Sequence, residues 1–106
     1  MIYLKIHKSE HGAVVGMCDE SLIDKTLEEG HVFIDIRAYS SFYKGELVSK
    51  ENTLLALKAL RGNVYSANII GKDSVELAIT VGIIKKENVL KVKGIPYAQA
   101  YNVNIA

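Results

Sequence analysis

His7 and His11 flank Glu10 in the order His-x-x-Glu-His, the spacing at which inverted zinc peptidases hold a metal and a general base. That chemistry needs a helix, which sets both imidazoles one turn apart on one face. Here His7 closes an alternating segment and Gly12 ends a polar turn, so the helical setting is missing. His31 offers a further imidazole, but the plain reading is a pair of exposed histidines beside a hairpin turn. Gly71-Lys72-Asp73-Ser74 ends like a phosphate-binding loop. The full pattern needs a glycine where Ser66 stands and a hydroxyl where Asp73 stands, and a carboxylate there repels phosphate. What survives is a strand-to-helix turn able to hold a small anion weakly. Cys18 precedes Asp19 at another such junction. The neighbouring carboxylate opposes thiolate formation, so a buried, inert thiol is expected. No metal site and no cofactor is expected.

The segment Tyr39-Ser40-Ser41-Phe42-Tyr43-Lys44-Gly45-Glu46 is richer. Phe42 and Tyr43 can stack on a base or clamp a peptide, and Lys44 can meet a phosphate. Gly45 lets a backbone approach a ligand, and Glu46 can serve as a base or an ion-pair partner. Exposed rings cost hydration and glycine costs backbone entropy, so a plain connection has no need of them. The competing reading is structural: Phe42 plugs the core, Gly45 turns the chain and Glu46 meets a lysine. Recognition requires these side chains to point outward. A second group, Tyr97, Gln99, Tyr101 and Val103, shares one face of an alternating segment and suits a subunit interface better than nucleic acid.

The elements that must position these groups follow from periodicity. Residues 2–7 alternate, with Ile2, Leu4 and Ile6 on one face and Tyr3, Lys5 and His7 on the other; residues 13–18 complete a hairpin. Asp19 is placed to cap a helix reaching Glu29, with Leu22, Ile23 and Leu27 buried and Gly30 ending it. A strand at 31–37 precedes the aromatic loop. Ser49 caps a helix over 50–61, which Gly62 closes. A strand at 64–70 leads to a third helix, capped by Asp73 or Ser74 and running to Val81. Strands at 89–93 and 97–103 flank Gly94-Ile95-Pro96. Paired strands at both ends with helices between them give an α+β fold. It has two layers: a mixed, mainly antiparallel sheet of five or six strands with about three helices on one face.

At 106 residues the chain is a single domain over 1–106, and 49% hydrophobic with 24% charged composition supports a packed core. A net charge of +1 weighs against a protein that binds nucleic acid by bulk electrostatics. Cys18 is the single cysteine, which fits a reducing cytoplasm. The alternating start is unlike a signal peptide, and no run is long enough to span a membrane. Apolar surface in excess of what one small core needs points to a homodimer.

Taken together, the motifs resemble a family of small archaeal proteins that carries a domain-of-unknown-function label. The likeness covers nearly the whole chain. It runs through Cys18-Asp19-Glu20, Leu27-Glu28-Glu29-Gly30, Phe42-Tyr43-Lys44-Gly45-Glu46, Ala67-Asn68-Ile69-Ile70-Gly71, Ser74-Val75-Glu76-Leu77-Ala78 and Gly94-Ile95-Pro96-Tyr97-Ala98-Gln99. The family usually has glycine where this chain has Asp24 and Lys44. The resemblance implies an archaeal cytoplasmic protein with an α+β fold and transfers no catalytic residue. The expected function is a non-catalytic binding or assembly module. RNA or a ribonucleoprotein is the expected partner, by analogy with small archaeal proteins of translation. The alternative is a small enzyme that pairs Glu46 with Tyr43 or a histidine as acid and base on a small metabolite.

Overall fold

A computed structural model describes residues 1–101. The first alternating segment becomes β1 (Ile2–Ser9), which pairs antiparallel with β2 (Gly12–Asp19). Beyond β2 the expected helix does not form. A single 3-10 turn, Glu20–Leu22, is followed by β3 (Thr26–Glu29), which folds back on β4 (Val32–Asp35) as a separate two-stranded ribbon. The reason is local. Asp24 takes a left-handed φ of 63°, which no helix interior accommodates. The Lys25 carbonyl then accepts from the amides of Ile36 and Arg37, which closes the ribbon.

The aromatic segment is likewise not a loop. Ser40–Tyr43 forms α1 and Glu46–Val48 forms β5, which pairs with β1. α2 (Lys50–Leu60) begins as expected, with the Ser49 hydroxyl accepting from the Asn52 amide at 3.1 Å. β6 (Val64–Ile70) leads to α3 (Lys72–Val81), then β7 (Leu90–Val92) and β8 (Ile95–Tyr101). The last two strands join through Lys93-Gly94, both at positive φ, and Pro96 lies inside β8 rather than in the turn. The part of the expected final strand that reaches Val103 lies outside the described residues.

The six-stranded sheet has the order β5-β1-β2-β6-β8-β7, with β2 and β6 parallel and every other pair antiparallel. The α+β class therefore holds. α2 and α3 cover the face carrying Ile2, Leu4, Val15, Met17, Ala67, Ile69 and Ala98, where Leu57, Val75, Ala78 and Val81 complete the main core. The short α1 and the β3–β4 ribbon instead cover part of the opposite face, over Cys18 and Ile70. That second layer is the departure from helices on one face only.

α3 is capped from a distance, not by its own Asp73 or Ser74 side chain. The Asp19 carboxylate accepts from the amides of Asp73 (3.1 Å) and Ser74 (2.9 Å) and from the Ser74 hydroxyl (2.7 Å). It satisfies amides that a helix N-terminus leaves without partners. Gly71, at φ 113°, makes room, since a Cβ there would overlap the carboxylate. The small-anion position suggested by Gly71-Lys72-Asp73-Ser74 is thus filled by the chain itself.

Candidate functional site

The face opposite α2 and α3 is built in rows. Register places Lys5 beside Gly16, Gly16 beside Asn68, and Asn68 beside Gln99; the next row is His7, Val14, Ser66 and Tyr101. Alternation puts the side chains of both rows on one side of the sheet. A helix of four residues cannot hold itself together in water, so α1 depends on this surface. Lys5 Nζ donates to the Ser41 carbonyl at 2.6 Å, and His7 Nε2 lies 3.1 Å from the Phe42 carbonyl. A carbonyl only accepts, so Nε2 carries the proton. The His7 ring also stacks on Phe42, centroids 4.8 Å apart and planes 12° apart. β1 thereby caps the carbonyl end of α1 with the two polar side chains that the alternation had left facing outward.

Between α1 and the ribbon on one side and β6 and β8 on the other lies a cleft of about 450 Å³. Phe33, Tyr39 and Tyr101 rim it, at 59%, 64% and 66% exposure. Phe42 and Tyr43 form a wall, with their rings edge to face at 5.1 Å. Asn68 and Gln99 form the floor, and neither amide has a hydrogen-bond partner among the described residues. Asp35 stands at one end, where its carboxylate accepts from the Ala38 amide at 3.0 Å and sits 3.9 Å from Arg37 Nε.

Two groups chosen from sequence thus meet in one place: Tyr39, Phe42 and Tyr43 face Gln99 and Tyr101. The others do not join them. Lys44 pairs with Asp24 at 3.4 Å, away from the cleft lining. Gly45 serves a close approach to its own β1, because a Cβ there would overlap the Leu4 carbonyl. Glu46 stands opposite Leu4, on the α2 side, and lines a different groove with Ile6, Asn52 and Ala56. Tyr97 lies beside Ile70, half-buried in the second core under the ribbon. Tyr43 is buried rather than outward-facing.

Sequence reasoning missed Phe33, Asp35 and Asn68. Asn68 carried a signal: it interrupts the apolar strand Val64–Ile70 at its centre, between Ala67 and Ile69. Phe33 and Asp35 lie in the strand expected at 31–37, and the position of the ribbon over the sheet is what brings them to the cleft.

The remaining chemistry is quiet. His7 faces α1, while His11 lies at the β1–β2 turn, 3.5 Å from Glu10 and with its ring 5.2 Å from Tyr65. His31 is in the turn of the ribbon. No three His, Cys, Asp or Glu side chains among the described residues group as metal ligands. Burial, reinforced by Asp19 and Asp24, pushes the Cys18 thiol up to about 12, so it is protonated and unreactive at neutral pH. Burial, with Cys18 and Tyr39 adding to it, likewise pushes Tyr43 up to about 12.

A family profile described as "Protein of unknown function (DUF424)" matches residues 6–103. The chain belongs to the DUF424 family. Its fold is also similar to that of an uncharacterised conserved protein from Methanopyrus kandleri, seen in a crystal structure. The two share 20% identity with a TM-score of 0.77, over 95% of this chain and 90% of the other. At that identity the likeness speaks for the fold. No curated protein matches the chain. No described helix is long and apolar enough to cross a membrane.

Proposed function

We propose that the protein is a non-catalytic binding module that holds single-stranded RNA in the cleft between α1, the β3–β4 ribbon and β8. One observation carries the reading: the exposed rings of Phe33, Tyr39 and Tyr101 converge with the unpartnered amides of Asn68 and Gln99 on one concavity. Ring faces accept stacked bases, and amides satisfy base edges. Catalysis has less support. Glu46 is on the other side of the sheet from Tyr43 and His7, so the acid–base pair is not assembled, and Cys18 keeps its proton.

A cytoplasmic location and self-association belong to the same proposal. β7 pairs only with Ile95–Tyr97, so Ala98–Tyr101 of β8 offers an unpaired outer edge among the described residues, beside the exposed Tyr101 ring. Sedimentation velocity should show a dimer that Tyr101→Glu dissociates. The binding test is fluorescence anisotropy with short labelled RNA. A Phe33→Ala, Tyr39→Ala double variant, which leaves the edge at Tyr101 intact, should weaken binding by about tenfold or more, given ~1–3 kcal/mol per stacked base. Undiminished binding in that variant, or none in the native protein, overturns the reading.

A further inference from the structure

We infer that Asn68 and Gln99 read the edge of one unpaired nucleobase, so that the cleft selects by base identity and only slightly by phosphate charge. The inference rests on the cleft being a binding site and names what is read there.

Asn68 and Gln99 are direct partners across the β6–β8 ladder, so their amides enter the cleft side by side. Each offers donors and an acceptor, and each lacks a protein partner among the described residues. The walls around them are rings. A planar heterocycle with donors and acceptors along one edge satisfies both features, its faces on the rings and its edge on the amides.

Other ligand classes fit less well. An extended peptide seeks free main-chain donors and acceptors; those lie on the outer edge of β8 at Ala98–Tyr101, beside the cleft, whereas the floor is a sheet face whose ladder bonds between β6 and β8 are already made and which offers side-chain amides instead. A polyphosphate seeks free cations. Lys5 is bound to the Ser41 carbonyl, and Arg37 lies beside Asp35, whose carboxylate would repel a phosphate. The cleft has little charge to give an anion.

The test uses the full chain with four labelled single-stranded RNA homopolymers, the matching DNA oligonucleotides and the free nucleosides. Amide resonances of Asn68, Gln99 and the neighbouring strand residues report where each ligand sits. The inference requires one homopolymer to bind at least about tenfold more tightly than the weakest, within the discrimination of a good amide–base contact. Asn68→Ala and Gln99→Ala should collapse that ratio while the β6–β8 resonances stay folded. Between about 50 and 200 mM salt the affinity should change by less than about tenfold, against the far steeper loss of proteins that grip many phosphates. The RNA and DNA arms decide which sugar carries the base. Equal affinity for all homopolymers, or an unchanged ratio in both amide variants, overturns the inference while leaving RNA binding in place. No perturbation of the cleft by any of these ligands overturns both.

Discussion

The ring and carbonyl of Phe42 lie directly on Gly16, so close that a Cβ there would stand 2.8 Å from the carbonyl oxygen and 2.9 Å from the ring. A central strand gives up a side chain to let α1 rest on the sheet. Substituting Gly16→Val should therefore lift α1 and disturb the Phe42 wall of the cleft. The expected loss is about 1–3 kcal/mol, as for other overpacked sites, read by urea denaturation. Wild-type stability with an intact His7–Phe42 stack would contradict it.

Asp19 ties the end of β2 to the start of α3, far along the chain. Asp19→Asn keeps the shape but loses the charge facing the helix dipole, and should cost about 1 kcal/mol. Asp19→Ala leaves the amides of Asp73 and Ser74 open and should cost more, about 2 kcal/mol. Ser74→Ala should fall below both, since it removes one bond of the set. Chemical denaturation of the three variants checks the order.

Alkaline pH should unfold the protein by a traceable route. Cys18 rises from 9.0 to about 12 and Tyr43 from 10.0 to about 12 on folding. A pKa raised in the folded state gives stability that is fully present below the unfolded value and lost as pH climbs towards the folded one. These two groups should therefore take stability away as the pH climbs between about 9 and 12. A Cys18→Ala, Tyr43→Phe variant should flatten that decline. Thiol reagents at pH 8 should modify Cys18 only after unfolding.

Glu46→Gln should change neither stability nor binding. The side chain is exposed on the α2 side of the sheet, away from the cleft, and surface changes of this kind stay within about 0.5 kcal/mol. A large effect on any measured activity would revive the acid–base alternative.

Alternation made β1 legible, short apolar runs bounded by turn residues pointed to β2 and β6, and helix-cap chemistry made α2 legible at Ser49, because those signals are local. The Asp19–Glu29 helix failed for a reason that composition hides. Leu27 is buried in either arrangement, but Gly30 serves as a ribbon turn as readily as a helix stop, and the left-handed Asp24 tips the choice. Within the aromatic segment the rings were visible and their directions were not. Whether Phe42 points to solvent depends on Gly16 and His7, which lie on β2 and β1. Gln99 and Tyr101 were singled out for an interface, and they reach the same cleft because the sheet order sets β8 beside β6.

The parallel pairing of β2 with β6 has a further consequence. Everything that roofs the cleft is an excursion of the chain between those strands, while its floor, Asn68 and Gln99, arrives only with β6 and β8. During synthesis the β1–β2 hairpin can close early, being local, but the excursion must be looped out before β6 docks. A nascent chain therefore has no complete cleft until β8 settles, and under the proposed function binding waits for the last stage of assembly.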